Sequence, residues 1–449
     1  MTVGGRTTLS DLARRLAWLA FAALIVLSPF RAVVAEWERP IPQIATSYTR
    51  FGLGWPDVAL LATLALWVVS LALRPRAVAV GPSALSVPVA GLLVVAWLGV
   101  PSSVDPSLAA YNAVKLVLVV ALGVYVLNEL DRIDRLAVPI VIMVAIQAVV
   151  VLGQTVGQGS VGLSILGEQR LDPARTGISV VAAVDGTRLL RAYGLSPHPN
   201  ILGGILAFAL LTLIAALGRT RRERIVRSIV FALGVVALLL TFSRAAWVGF
   251  AVGAVVGVAM LAAMRDRAAI RRWAGVTIAG IVLCIPFFLA FAPYLAARAN
   301  VSGPIATEVR SLDERLALAA ASADVFVDRP LLGSGLGTLP TALFLDDPTF
   351  GWAYQPAHVV ALVAAAETGI LGLLCYLVIV IAPWVLLVRD RARWTPWLAG
   401  ASAALAAVTT VGLFDYYTWT PSGGRIWAWI ALGAWVAAYR AAMQGRRDA

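Results

Sequence analysis

The chain contains two histidines, His198 and His358, and a single lysine, Lys115. Imidazole has the unperturbed pKa closest to neutrality, which suits it to general acid or base work. His198 stands between two prolines in Ser196-Pro197-His198-Pro199-Asn200, where it is equally well read as a cap for the apolar stretch that follows. Asn200 has a side chain suited to an N-cap. His358 precedes another apolar stretch, and Glu367 follows within it. Their spacing is about two and a half helical turns, so on a continuous helix the two side chains face nearly opposite ways. Arg244 lies in Thr241-Phe242-Ser243-Arg244-Ala245, between two apolar stretches with no loop to carry it into water. A guanidinium in such a place suits bidentate contact with phosphate, the alternative being snorkelling to lipid headgroups. Arg315 follows Ser311-Leu312-Asp313-Glu314, whose S-x-x-E spacing predicts a helix start. A helix N-terminus favours anions, so Arg315 there predicts a diphosphate contact, with an ion pair to Asp313 or Glu314 as the alternative. Lys115 lies inside an apolar stretch, which predicts a protein-lined cavity or a carboxylate partner such as Glu367. Asp415-Tyr416-Tyr417-Thr418-Trp419 and Arg425 form a late polar, aromatic stretch, either an interfacial belt or a sugar-stacking platform.

These residues are few because the rest of the chain is apolar. Hydrophobic residues make up 60% and charged residues 13%, against about 45–50% and 25% in soluble domains. That composition excludes a soluble enzyme, a disordered chain and a nucleic-acid binder, in spite of a net charge of +12. Cys284 and Cys375 sit in apolar runs and read as small buried hydrophobes rather than a disulfide or metal pair. No His/Cys cluster, H-E-x-x-H or D-x-D motif is present, so no metal site is expected.

Twelve stretches approach the roughly 20 apolar residues that span a bilayer: 16–35, 57–73, 86–101, 107–127, 136–156, 200–217, 226–243, 245–263, 273–293, 358–388, 395–413 and 425–444. The first resembles a signal peptide, but the spans after it favour a retained anchor. With the N-terminus in the cytoplasm, the inner segments hold 22 arginines and the outer ones 13, most of the latter in two long loops. The net charge then reads as an orientation signal. The expected fold is an all-α polytopic membrane protein of about twelve helices with both ends cytoplasmic. Residues 1–199 supply the N-terminal helices and a first outer loop at 157–199; residues 200–449 supply the core, including a helical outer loop at 294–357. That second loop is expected to lie over the membrane as a cap, its helix ended by Pro330, with a tight turn at residues 333–337. Both histidines, Arg244, Arg315, Asp415 and Arg425 fall on the outer side of this topology.

Several stretches, taken in order, resemble the O-antigen ligase and polymerase superfamily. They are the 196–200 segment, Ser243-Arg244, Arg315, Asp328-Arg329-Pro330-Leu331-Leu332-Gly333-Ser334-Gly335-Leu336-Gly337, His358, Glu367-Thr368-Gly369-Ile370-Leu371-Gly372, and Asp415-Tyr416-Tyr417 through Arg425. The resemblance covers about 190–430. Val359 departs from it, since the family usually places Asn after the histidine. The resemblance implies a metal-independent GT-C type glycosyltransferase of the cytoplasmic membrane, without cofactor. Its donor would be a glycan on a polyprenyl diphosphate such as undecaprenyl diphosphate, and its acceptor a saccharide or glycolipid at the outer face. His358 would activate the acceptor hydroxyl, and Arg244, Arg315 and Lys115 would hold the diphosphate. His198, Asn200, Glu367, Asp415 and Arg425 would line the groove. Cations fixed in a water-poor site stabilise the charge that builds on a diphosphate leaving group, and a single base then suffices for inverting displacement. A twelve-span transporter or lipid-linked glycan flippase is the rival reading, and such folds divide into two six-span halves with a cytoplasmic connector. Here the largest loop lies outside, after the ninth span.

Overall fold

The structure is a computed structural model that describes residues 3–183, 185–216, 220–298 and 306–445. Arg219, Arg446 and Arg447 of the inner arginine set lie outside the described residues. The chain folds as α-helices apart from two short antiparallel hairpins among the described residues. In the first, β1 (Val33–Trp37) pairs with β2 (Phe51–Gly54); in the second, β3 (Val180–Ala182) pairs with β4 (Arg188–Leu190). The helices are α1 (Val3–Leu27), α2 (Trp55–Leu73), α3 (Ser83–Leu98), α4 (Pro106–Glu129), α5 (Ala137–Gly157), α6 (Pro199–Ala215), α7 (Arg221–Leu240), α8 (Arg244–Ala263), α9 (Arg267–Ala290), α10 (Ala292–Arg298), α11 (Ala306–Asp328), α12 (Leu339–Asp346), α13 (Val360–Arg389), α14 (Pro396–Gly412) and α15 (Gly423–Gln444).

A helix overlaps each of the twelve apolar stretches. Among the described residues six segments are long and apolar enough to cross a membrane: α2, α4, Ile133–Gly157 with α5, α8, α13 and α15. Helices α3, α6 and α14 are apolar but shorter. The others carry charge at one end, as in Arg221, Arg222, Glu223 and Arg224 of α7 or Arg267, Arg271 and Arg272 of α9. The chain is therefore an α-helical membrane protein. Its first apolar stretch differs from the expected 16–35. It is helical only to Leu27, and residues 33–35 of the signal-like segment run into β1.

With no hydrophobic drive between helices in lipid, close backbone approach and polar contacts hold a bundle together. Helix α8 packs on α14 through small residues, and a Cβ at Gly249 would lie 3.1 Å from the Ala407 carbonyl. Indole N–H groups supply polar contacts: Trp427 Nε1 donates to Ser28 Oγ at 2.8 Å, and Trp435 Nε1 to Ser402 Oγ at 3.0 Å. At the far end of α4 the buried Glu129 carboxylate receives Arg14 Nε at 2.5 Å, Arg76 Nη2 at 2.6 Å and Trp67 Nε1 at 2.8 Å. These three donors satisfy the buried carboxylate and tie α1 and α2 to α4.

The stretch expected as one span at 358–388 begins at Val360 and is broken at Gly369, whose φ of 65° and ψ of −167° are not helical. The break is filled by the turn after α11. Ser334 N donates to the Ala366 carbonyl at 2.8 Å, Gly335 N to the Glu367 carbonyl at 3.0 Å, and Ile370 N to the Pro330 carbonyl at 2.8 Å. Backbone groups freed by a kink at membrane depth must find such partners inside the protein. Gly333 (φ 71°) and Gly369 abut the opposite strand of this exchange, where a Cβ would collide with the Glu367 and Leu331 backbones respectively. The two glycine-bearing stretches of the sequence are thus two halves of one lock. The S-x-x-E helix start is not found: α11 already runs from Ala306, upstream of Ser311, so Arg315 lies in the body of the helix.

Candidate functional site

Two cavities meet at His358. The larger, about 490 Å³, runs between α2, α4, α15 and the chain around residues 28–57. The smaller, about 440 Å³, lies between the α7–α8 corner, α11 and the loop after α14. Both volumes fall in the range of about 300–1,000 Å³ typical of small-molecule sites. His198, Asn200, Gln355, His358 and Asp415 line both.

The smaller cavity collects three arginines, Arg191, Arg244 and Arg315. Arg244 is the first residue of α8, after a corner in which Phe242 takes the left-handed conformation (φ 49°). Phe287 and Phe291 pack on the Phe242 ring, with centroids 5.5 and 5.8 Å away, and hold that corner. Arg191 is buried. Its Nε donates to the Thr241 carbonyl at 2.9 Å and its Nη2 to Asn200 Oδ1 at 2.5 Å. Asn200 Nδ2 in turn donates to Asp415 Oδ2 at 2.7 Å. Asn200 therefore bridges a buried cation and a buried carboxylate. Burial pushes the Asp415 carboxyl above its usual range, against the pull of Arg315 and Asn200. Nothing in the sequence singled out Arg191, which sits in the long loop at 157–199 at the end of β4.

The N-cap of α6 is His198, not Asn200. His198 Nδ1 accepts from Asn200 N at 3.1 Å, and its Nε2 lies 3.0 Å from Ser179 Oγ. Both ring nitrogens are engaged, which is the capping role rather than a free acid or base.

His358 stands in the loop before α13, its ring edge-on to Tyr416 at 5.2 Å. Nδ1 is buried without a hydrogen-bond partner, and neither ring nitrogen bonds to a described residue. Burial first, and then the nearby Arg315 cation, push the imidazole down to about 3. It is therefore neutral at physiological pH. Around it runs a polar chain. Tyr48 Oη and Tyr416 Oη lie 2.7 Å apart, Tyr416 Oη donates to Gln355 Oε1 at 3.3 Å, and Gln355 Nε2 donates to Glu314 Oε1 at 3.0 Å. The two tyrosine hydroxyls stay protonated, burial pushing Tyr48 up to about 12 and Tyr416 well above its ordinary value. Gln355 and Tyr48 carried no signal in the sequence, and Glu314 only that of a helix start or an ion-pair partner for Arg315.

Lys115, Glu367 and Arg425 line the larger cavity rather than the arginine-lined one. Lys115 Nζ pairs with Asp57 Oδ1 at 2.5 Å, so its partner is Asp57 and not Glu367. Asp57 Oδ2 also accepts from Gly54 N at 2.9 Å, at the start of α2. Glu367 Oε2 accepts from Trp419 Nε1 at 2.8 Å. Arg425 is buried, and its guanidinium makes no hydrogen bond or ion pair with a described residue. Arg31 and Arg50 also line it, Arg50 Nη1 paired with Glu36 Oε1 at 2.6 Å. All nine residues singled out by the sequence thus line one or both cavities. The arginine-lined one gathers Arg244, Arg315, His198, Asn200, His358 and Asp415. Among the described residues no group of three or more His, Cys, Asp or Glu side chains is placed to hold a metal ion.

Fold and site together define a polytopic α-helical membrane protein with a cation-lined cavity at one end of its bundle. Residues 229–377 match the family described as O-antigen ligase. This stretch, which contains Arg244, Arg315, His358 and Glu367, supports the O-antigen ligase and polymerase superfamily. A comparison with curated proteins gave no match.

Proposed function

We propose that the chain is a membrane glycosyltransferase of O-antigen ligase or polymerase type. It moves a glycan from a polyprenyl diphosphate to a sugar hydroxyl at the outer face of the cytoplasmic membrane. The observation that carries this reading is the position of His358, a neutral imidazole at the junction of two cavities, one of them lined by Arg191, Arg244 and Arg315. The donor diphosphate lies against the three arginines, and the acceptor saccharide occupies the larger cavity. His358 takes the proton of the acceptor hydroxyl as its oxygen bonds to the anomeric carbon. The bond from that carbon to the diphosphate oxygen breaks on the opposite side, which inverts the centre. The diphosphate leaves with the electron pair, and its charge is met by guanidinium groups already fixed in place. With cations so placed the step needs no divalent metal. Twelve helices cross the membrane in this reading, with both ends cytoplasmic, and residues 200–449 carry the donor-binding core.

The test is transfer from a polyprenyl-diphosphate glycan to an acceptor by the purified chain in liposomes, read on a glycan gel. His358→Ala is expected to lose about 10²–10⁴-fold, and Arg244→Ala or Arg315→Ala about 10²–10³-fold. Full activity of all three variants, at normal levels in the membrane, overturns the assignment. Movement of the lipid-linked glycan across the bilayer without transfer indicates a flippase instead.

A further inference from the structure

Helix α11 has three faces. Leu312, Leu316, Ala320, Ala323 and Val327 recur at steps of four, four, three and four, which at about 100° per residue keeps them on one stripe. Leu312, Leu316 and Val327 on that stripe are 58%, 61% and 71% exposed. Asp313, Asp324 and Asp328 occupy the adjacent sector and are also exposed. Leu318, Ser322 and Val325 are buried on the third face, against the protein. Glu314 and Arg315 border that face and line the arginine-rich cavity. A helix apolar on one side, acidic on the next and packed on the third fits neither a water-covered cap nor a span.

Its level relative to the bundle follows from its contacts. Helix α8 has 20 residues. At about 1.5 Å each they match the roughly 30 Å hydrocarbon layer, which puts Arg244 at one edge of it. Arg315 shares a cavity with Arg244, so the middle of α11 lies at that edge. Just past its C-terminal end, Leu331 abuts Gly369 inside the candidate span α13. Leu331 is 66% exposed, and the exposed Leu371 and Leu374 of α13 continue the apolar surface. At its C-terminal end the stripe thus leads toward exposed apolar residues of a candidate membrane helix.

We propose that α11 is an interfacial helix, its Leu312, Leu316 and Val327 stripe immersed in the acyl chains of the bilayer and its aspartate sector in the headgroups and water. An amphipathic helix of this kind lies about 5–10 Å deep in the interface. The opposite side of α11 carries Glu314 and Arg315 on the wall of the arginine-lined cavity. The placement holds whether or not the chain transfers glycans.

The experiment uses the full chain with Cys284→Ala and Cys375→Ala, reconstituted in phosphatidylcholine nanodiscs with or without brominated acyl chains. Single cysteines at Leu316→Cys, Val327→Cys and Asp324→Cys carry a bimane label. Labels at 316 and 327 are expected to be quenched by the brominated lipid and shielded from aqueous iodide, and the label at 324 the reverse. Leu312→Cys reads the same stripe should Leu316→Cys fail to give monodisperse protein. Iodide quenching at 316 and 327 equal to that at 324 overturns the proposal. So does protection of the stripe from both quenchers, which indicates a covering protein.

Discussion

His358 and Arg315 line the same cavity, and the guanidinium adds to burial in holding the imidazole neutral. The ordinary midpoint of 6.5 moves down to about 3, so the free site keeps an unprotonated base well into acid. The dependence of kcat/KM on pH reports groups of the free enzyme. It is therefore expected to show no loss assignable to His358 between about pH 7 and 5. Replacing Arg315 by Gln removes the smaller of the two causes, so the midpoint rises but stays below its ordinary value. An acid limb that moves toward neutrality in Arg315→Gln, beside a lower maximal rate, is the expected result. Identical profiles for the two proteins contradict the coupling.

Asn200 joins Arg191 to Asp415, and its loss exposes both charges at once. Asn200→Ala leaves a buried cation and a buried carboxylate each short of a partner. A cost of about 1–3 kcal/mol is expected for such unsatisfied groups. Thermal unfolding in detergent measures it. Transfer is expected to fall with it, because Arg191 loses one of the contacts that fix it in the cavity it shares with Arg244. Arg191→Lys alone is expected to show a similar fall, since one ammonium cannot reach both Thr241 and Asn200.

The lock between the turn at residues 333–337 and the broken helix α13 gives a backbone prediction. Gly369 lies in a region of φ and ψ that is essentially closed to other residues, at about 1–3 kcal/mol, and a Cβ there meets the Leu331 backbone. Gly369→Ala and Gly333→Ala are expected to lower the amount of folded protein extracted from membranes. Gly351→Ala, where an added Cβ meets nothing within 4 Å, is the control and is expected to behave as the parent. Equal yields for all three contradict the lock.

The helices were legible because apolar run length is a local property, and each expected span meets a helix. Which runs are long enough to cross was less so, since charge at one end of α7 and α9 belongs to the same helix as the apolar part. The S-x-x-E spacing at Ser311 misled because a capping box is a four-residue pattern that also occurs inside a helix. His358 and Arg244 stood out as costly side chains beside apolar runs, and Arg315 through the S-x-x-E pattern that precedes it. Arg191 did not, because an arginine in a long polar loop is cheap in sequence, and only the β3–β4 hairpin returns it to the cavity. Lys115 stood out inside an apolar run, but its partner could not be read: Asp57 lies on another helix, and no periodicity links the two.

That pair separates a structural lysine from one that touches the donor. Lys115 Nζ and Asp57 Oδ1 lie 2.5 Å apart, both mostly buried, on the wall of the larger cavity. Lys115→Met strands the Asp57 charge, and breaking a buried pair in this way costs up to about 3–5 kcal/mol. Asp57→Asn keeps an oxygen for Gly54 N while removing the charge. If the lysine serves the pair, the double variant Lys115→Met with Asp57→Asn is expected to be more stable than Lys115→Met alone, with a coupling of about 0.5–3 kcal/mol in a double-mutant cycle. Donor affinity should then change little in the double variant, because the proposed function puts the diphosphate against the arginines of the other cavity. If Lys115 grips the donor instead, the double variant recovers stability but not affinity. Binding of the polyprenyl diphosphate to the four proteins of the cycle, measured beside their unfolding temperatures, distinguishes the two roles.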